Sequence, residues 1–574
     1  MRTWVERFPE RFEHELDEFA DRGLKFELDS RLLAEQGRVV LRGAVSHRGA
    51  EIGLEVHYPD LFPYLRPEVV ASDLSLPRHQ NPFARNLCLL DRSTRAWNPS
   101  DTGAWLVGER VPHLLDLLAG SEAALREAEV PQGEPISAYF GGIPGAAIFV
   151  PEEVLRLAET ARAGSGRIVS SLAEPPRLRL RGLVAELVEK KRNKKTRTLA
   201  RADADLAARF GGKTISFRWA RLDELPRENS PDALLAAINE ARPGFGSPPW
   251  QAVQDGEIAI SAAVIAEEVE QGQYEDGWIF AAKGRQAGRE LRFLIRGERL
   301  ARSDLAARSP LAGELGEKCV SLLGLGANGA ELAIQLARAG VGQIRGMDFD
   351  HVEAGTIVRW PSGLTAVGHQ KTEAIKARIL LDYPFTTFEA FSHQLGQSAS
   401  IATARSESEL DVLERFVQDT NLVIEASAEV GVQQAISAAA DEQCLPQLYV
   451  WATEGARGGL VAHIRPGITG CWMCLQYHLE EETIPLPARE QTPHLQPRGC
   501  AALTYSGSGF DLAPTVAQAA RVATAALAGK EASENDRGDV FVCSFEADPF
   551  APPSWSTHVL EPHPRCESCA ARSS

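Results

Sequence analysis

The stretch that most constrains this chain runs from Cys319 to Lys371. An apolar run, Val320–Leu323, leads into Gly324-x-Gly326-x-x-Gly329, and a segment of helical spacing follows. A second strand-like run then ends at Asp348 and Asp350. Strand, glycine loop, helix and acid-tipped strand make a nucleotide-binding βαβ unit. The glycines turn tightly and let backbone approach phosphate, and the helix amino terminus offers unbonded N–H groups and a positive dipole end. An acidic side chain about 20 residues on, here Asp348, stands where ribose hydroxyls would lie.

The remaining numbers bound the setting. A length of 574 residues gives a prior of roughly four domains. Apolar residues at 44% and charged residues at 24% suit a soluble globular enzyme. The net charge of -17 argues against general nucleic-acid binding and against an anionic membrane surface, because both would repel it. No apolar stretch reaches the ~18 residues that span a bilayer. The opening MRTWVERFPERFEHELDEF is amphipathic and acidic, unlike a secretory signal, so a cytoplasmic location is expected. Nine cysteines in a reducing compartment turn attention to metal binding and thiol chemistry.

Residues 1–125 read as a small α/β domain. Val5, Phe8, Phe12, Leu16 and Phe19 recur at helical spacing, strand-like runs follow at Arg38–Val45, Glu51–Tyr58 and Glu68–Ala71, and a helical stretch covers Val107–Leu118. Gly and Pro clusters mark 126–165 as connection. Residues 166–310 read as a mixed α/β middle region without an assignable motif; its basic run, Lys190 to Lys195, is expected to be a solvated loop. Residues 311–574 read as a doubly wound, Rossmann-like α/β domain with a cysteine-bearing tail.

The βαβ unit alone serves an NAD-dependent oxidoreductase as well as an ATP enzyme. Two cations just beyond the acidic strand end, Arg359 and Lys371, suit a triphosphate better than a nicotinamide. A further buried run, Leu422 to Glu425, ends in polar residues, the usual ligand position in such sheets. Cys471-x-x-Cys474 and Cys566-x-x-Cys569 supply four thiolates, enough for a closed tetrahedral Zn²⁺ site that pins the tail. With every position taken by sulfur, such a site is structural, not catalytic.

Taken in order, these motifs resemble the ThiF/MoeB/ubiquitin-activating adenylation family. The matching elements are Gly324/Gly326/Gly329, LARAGVG at 336–342, Asp348 and Asp350, Thr356-Ile-Val-Arg359, VGHQK ending at Lys371, and the two CxxC pairs. Thr356 stands where the family has Asn, Trp360 where Gln is common, and Ala428 where it carries a Mg²⁺-binding Asp, with Glu429 adjacent. The resemblance implies ATP-dependent adenylation of a protein's C-terminal carboxylate. Arg359 and Lys371 would serve the phosphates, and Asp348 with Asp350 the ribose. Arg302 and Arg308 resemble arginines supplied across a homodimer. Cys500, in PRGCAALTYSGSGFD, matches the crossover-loop cysteine that captures the acyl group as a thioester, with Arg498 nearby to favour the thiolate. Cys319, Cys444 and Cys543 lie in apolar runs and read as core.

The amino-terminal region resembles a ubiquitin-conjugating enzyme in Tyr58-Pro59, Pro67, His79-Gln80-Asn81-Pro82, Cys88 in LCLL, and Trp97-Asn98-Pro99. That resemblance makes Cys88 a second acyl carrier and Asn81 an oxyanion-stabilising amide. The whole resembles the fused conjugation proteins of bacterial CBASS antiphage operons. It implies a relay from ATP to Cys500, to Cys88, and to a target protein amine. The donor would be a cGAS/DncV-like nucleotidyltransferase, or alternatively a bacterial ubiquitin-like protein. An NAD-dependent oxidoreductase with an accessory domain and a non-catalytic scaffold are the competing classes.

Overall fold

The hairpin Val39–Tyr58 sets the frame of the amino-terminal domain. Strands β1 (Phe26–Leu28), β2 (Val39–His47), β3 (Ala50–Tyr58) and β4 (Glu68–Val70) form an antiparallel sheet in that order. Arg48 and Gly49 join β2 to β3 with φ of 50° and 83°, the two left-handed positions that match the twist of a two-residue hairpin. Leu41 lies opposite Val56, and Val39 opposite Tyr58. This face buries Phe19 of α1 (Pro9–Asp21) and Leu114 of α2 (Val111–Leu118), together with Trp4 and Phe62.

The structure is a computed structural model. It describes every residue except 1–2, 91–95, 121–132, 174–178, 191–195, 227, 246–253, 255–256, 287, 397–407, 491–505, 531–537, 547, 549 and 570–574. The chain divides into two units, Met1–Leu300 and Ala301–Ser574.

The rest of the first unit is mostly β. Its strands are β5 (Ala146–Pro151), β6 (Ala163–Ala173), β7 (Arg179–Lys190), β8 (Thr196–Arg201), β9 (Lys213–Arg221), β10 (Ile258–Glu270), β11 (Gln273–Gln286) and β12 (Arg289–Leu300). They pair in the order β5-β12-β11-β10-β9-β6-β7-β8, and β5 also pairs with β7. That extra pairing closes seven strands into a ring, with β8 continuing the outer edge of β7. One face of the ring carries Phe217, Trp219, Trp278 and Phe280; the other packs Ala263, Ile265 and Ile279 against α3 (Pro231–Ala241). Residues 166–310, expected to be mixed α/β, supply most of β6, the strands β7 to β12 and helix α3. Residues 126–165, read as connection, contribute β5 and the start of β6. Strands buried on both faces lose the period-two signal, so such runs are ambiguous in sequence.

In the second unit, every residue of β13 (Cys319–Leu323) is buried, as a central parallel strand requires. Helix α4 (Ala327–Ala339) leads to β14 (Gln343–Met347), and α5 (Lys371–Asp382) to β15 (Thr387–Phe391). The chain then crosses back through α6 (Glu409–Val417), β16 (Leu422–Glu425), α7 (Val430–Glu442), β17 (Gln447–Ala452) and β18 (Gly458–Ile464). Helices α8 (Trp472–Glu480) and α9 (Gly509–Leu527) precede β19 (Val540–Ser544) and β20 (Ser554–His558). The sheet order is β15-β14-β13-β16-β17-β18-β19-β20, parallel from β15 to β17 and antiparallel beyond. This doubly wound sheet is the Rossmann-like architecture expected of the carboxyl-terminal region. Strand order reverses at β13, so the ends of β13, β14 and β16 open a crevice where ligands bind in such sheets. Ala330, Ala333 and Ala337 of α4 share a buried core with Ala519 and Ala523 of α9. No described helix is long and apolar enough to cross a membrane.

Candidate functional site

The fold itself demands two of the three loop glycines, Gly324 and Gly329, and leaves the third, Gly326, open. Gly324 has φ 86°, and a Cβ there would lie 2.5 Å from the Ser427 nitrogen, so the turn passes hard against the end of β16. At Gly329 a Cβ would lie 1.9 Å from the Gly324 carbonyl oxygen, so only glycine lets helix and loop close. Gly326, at the N-cap of α4, would meet nothing within 4 Å. Its open side, beside the unbonded N–H groups of a thirteen-residue helix, fits phosphate. The buried side-chain oxygen of Asn328 has no hydrogen-bond partner among the described residues. An orphaned polar atom in this loop is what a ligand would satisfy. Sequence reasoning passed over Asn328, because the glycine spacing says nothing about the residues between.

At the tip of β14, Asp348 is built into the backbone. It accepts N–H bonds from Leu325 (2.7 Å) and Asp350 (2.8 Å), and each carboxylate oxygen keeps a lone pair for hydroxyls. Lys371, the first residue of α5, sits 2.7 Å from Asp350 and 3.9 Å from Asp348. Five expected residues therefore converge: Gly324 and Gly326 through the loop, with Asp348, Asp350 and Lys371 at its mouth. Arg359 ends the 3₁₀ turn Ala354–Val358, and a Cβ on Gly509, the first residue of α9, would lie 3.6 Å from the Arg359 Cα. Trp360 donates its indole N–H to the Leu325 carbonyl (3.0 Å), so this departure from the family pattern ties the arginine segment to the glycine loop.

Beyond β16, Ala428 adopts φ 62° and offers no metal ligand. Glu425 is nearly sealed from solvent, and burial raises its pKa despite hydrogen bonds from Ser427 and Gln433. Both its oxygens are thus engaged by protein, one by the Ser427 N–H (2.7 Å), the other by Gln433 Nε2 (2.9 Å). Glu429, the N-cap of α7, is the exposed carboxylate here. Gln433 in turn accepts from Trp472 (3.2 Å), which adjoins the first cysteine knuckle.

Cys471, Cys474, Cys566 and Cys569 are all buried, with their sulfurs within 4.8 Å of one another. Neighbouring sulfurs lie at 3.8, 3.5 and 3.5 Å, for Cys471–Cys474, Cys471–Cys566 and Cys474–Cys569 respectively. Disulfides need about 2.05 Å, whereas four thiolates about 2.3 Å from one tetrahedral centre stand about 3.8 Å apart. The donor set therefore fits Zn²⁺. The His563 N–H donates to the Cys474 sulfur (3.2 Å), an outer-shell bond of the kind that orients metal ligands.

Other expectations divide. Cys500 and Arg498 lie outside the described residues, as does most of the 190–195 basic run. The described flanks of the Cys500 segment meet: Ser506 donates to Glu490 (3.1 Å). Cys319 and Cys543 are core, and burial pushes the Cys543 thiol up to about 11. Cys444 is a correction: it is exposed with φ 53°, because α7 ends there with the Leu445 N–H closing onto the Ala440 carbonyl (2.9 Å). Arg302 lies over the Phe385 ring at 5.1 Å, and Arg308 donates to the Asp304 carbonyl (3.2 Å).

In the first unit, Cys88 is exposed between buried Leu87 and Leu89, which anchor its loop in the core. Its N–H donates to the His79 carbonyl (2.7 Å). Asn81 spends its side-chain oxygen on the N–H groups of Phe83 and Ala84, both at 2.9 Å, which holds its NH₂ group as the remaining donor.

The sequence profile of the ThiF family matches residues 306–534. Over its whole length the chain is 31% identical to the "uncharacterized protein y4oA" of Sinorhizobium fredii (strain NBRC 101917 / NGR234), covering 99% of this chain and 98% of the relative. The chain belongs to the y4oA family. It carries a ThiF/MoeB-like adenylation domain in its second unit, as the motif order implies. A second relative from the same organism, y4qC, is 27% identical over 90% of this chain and 89% of its own length. The ubiquitin-like modifier-activating enzyme 5 of Drosophila persimilis is 26% identical over 28% of this chain and 41% of that protein. The crystal structure of E. coli MccB with ATP is also similar, at 14% identity and a TM-score of 0.34, covering 45% of this chain and 68% of that one.

Proposed function

We propose that this protein activates the C-terminal carboxylate of a donor protein with ATP and passes the acyl group through Cys500 and Cys88 to a target amine. The observation that carries the first step is the glycine loop: an open Gly326 and an orphaned Asn328 beside Lys371, which is poised on Asp350. Activation requires two anions to meet, so positioning and neutralisation are what the protein must supply. The helix N–H groups and Lys371, with Arg359, take the phosphates; Asp348 takes ribose hydroxyls. The donor carboxylate oxygen bonds to the α-phosphorus, the bond to the β-phosphate breaks, and pyrophosphate leaves. The Cys500 thiolate then attacks the acyl carbon and AMP departs. A thiolate suits this step because it attacks strongly and leaves the acyl group activated. Cys88 exchanges for Cys500 at the same carbon, with the Asn81 NH₂ facing the developing oxyanion. An amine finally takes the acyl group, freeing the Cys88 thiolate and releasing a proton to solvent.

The similarity to ubiquitin-like modifier-activating enzyme 5 supports the carboxylate chemistry. The sequence resemblance to conjugating enzymes supports the role of Cys88. Mg²⁺ would shield the phosphates, with Glu429 as the carboxylate available to it, and Zn²⁺ would join the tail through the four cysteines. We take the donor to be a cGAS/DncV-like nucleotidyltransferase of a CBASS operon, with a ubiquitin-like protein as the competing donor. The working form is a homodimer in the cytoplasm.

The deciding experiment incubates the full chain with ATP, Mg²⁺ and each candidate donor, and resolves reducible adducts by mass spectrometry. Adducts on both Cys500 and Cys88 are expected, and Cys500→Ala should abolish charging of Cys88. Charging of Cys88 that persists in Cys500→Ala would reverse the relay order. Nicotinamide binding without ATP–pyrophosphate exchange would move the protein to the oxidoreductases.

A further inference from the structure

The loop that carries Cys88 is held by residues from outside the four-stranded sheet β1–β4, in the later part of the same unit. His79, whose carbonyl accepts the Cys88 N–H, has φ 59°, a conformation that is costly for a residue with a Cβ. One carboxylate grips it twice. Glu134 accepts the His79 N–H (2.8 Å) and pairs with its Nδ1 (2.9 Å). Burial of Glu134 would raise its pKa, but these His79 contacts outweigh it and hold the group ionised. Glu134 is seated in its turn on the end of β10, where Glu268 accepts its N–H (3.2 Å). The same Glu268 pairs with Arg78, beside His79, with both side chains largely buried. Between them, Gly133 has room for no side chain, since a Cβ would lie 2.4 Å from the Glu268 carbonyl oxygen. Phe83 of the loop meets Phe140 edge to face at 4.9 Å. The contacts close a circuit from His79 to Glu134, Glu268 and Arg78, which adjoins His79 in the chain, and Cys88 is tied to it through the His79 carbonyl.

We infer that Glu134 and Glu268 are positioning residues for acyl transfer at Cys88, and that holding this loop is a task of the β ring. The inference rests on Cys88 being an acyl carrier. Without Glu134, His79 can relax toward the common backbone regions, which shifts the carbonyl that fixes the Cys88 backbone. A misplacement of about 1 Å at a reacting group costs as much as ~100-fold in rate.

The test uses the full chain with ATP, Mg²⁺ and the donor protein, and follows three readouts: ATP–pyrophosphate exchange, charging of Cys500, and transfer to Cys88. For Glu134→Ala, exchange and Cys500 charging should stay near wild type. Transfer at saturating donor should fall by roughly 10- to 100-fold, with the half-saturating donor concentration unchanged. Glu134→Gln still accepts the His79 N–H and should recover part of the loss. His79→Gly, which adopts positive φ freely, should outperform His79→Ala. Wild-type transfer in Glu134→Ala, while Cys88→Ala is inactive, overturns the positioning role and leaves Cys88 in place. Normal conjugation by Cys88→Ala removes the carrier reading itself. Should Glu134→Ala aggregate, Glu134→Gln decides: equal loss of all three readouts marks a merely structural residue and overturns the inference.

Discussion

The two candidate sites are made in opposite ways. The nucleotide crevice is a product of topology. A parallel sheet whose strand order reverses at β13 brings Gly324, Asp348 and the end of β16 together, and backbone N–H groups do much of the shaping. The Cys88 loop belongs to an antiparallel meander, which offers no such crevice. It takes its shape from side chains: Leu87 and Leu89 in the core beneath, and Glu134 and Glu268 from the neighbouring region. A site made of backbone should fail all at once when the backbone is obstructed. One made of ion pairs should fail in steps.

The largest effect should come from Gly329→Val. A Cβ 1.9 Å from the Gly324 carbonyl forces helix and loop apart, so ATP–pyrophosphate exchange should fall below about 1% of wild type, consistent with lost positioning. Alkylation of Cys88 by iodoacetamide, read by mass spectrometry, should be unchanged. Loss of both would mean that the two sites are not separately built.

Metal removal sharpens the contrast next. Elemental analysis should find one zinc per chain. A strong chelator should lower the melting transition of the second unit by roughly 10 °C, because ligand binding to the native state is folding free energy. A transition assigned to the first unit should hold still. Two transitions moving together would show that the units unfold as one.

The smallest effect concerns pH. Glu15 in the first unit and Glu425 in the second are sealed from solvent, and burial raises the pKa of each. A raised folded-state pKa means the native state holds its proton longer than the unfolded chain. The stabilising contribution is therefore complete below the ordinary carboxylate range and is lost as pH climbs through the folded value. Glu15→Gln, which can still accept the Tyr58 and Gly103 bonds, should flatten this decline for the first unit, and Glu425→Gln for the second. Denaturant titrations from acid to neutral pH measure it. A steeper decline in either variant would contradict the sign.

Legibility in the sequence followed the range of the interactions. Gly324, Gly326 and Gly329, the acid at Asp348 and each CxxC pair are local patterns, and each one turned out to be local geometry. The ring of strands did not show itself, because β10 and β11 are buried on both faces over most of their length and its closure depends on β5 meeting β7, which no period in the letters records. Cys444 read as core from its apolar neighbours, yet the end of α7 turns it outward. Asn328 and Trp360 became meaningful only once their partners, or the want of one, could be seen.

The sequence by itself determined the chemistry on offer: a phosphate-ready loop, two cations, a thiol-rich tail and a loop cysteine. These follow from residue type and short spacing, since a turn, a helix start or a metal knuckle spans only a few residues. The tertiary structure alone decided which groups act together. Glu134 and Glu268 are 134 positions apart, and Glu268 is 190 from Arg78, yet all three converge on the loop before Cys88. Partners so distant along the chain are chosen by strand register and closure, and only the folded packing contains that information.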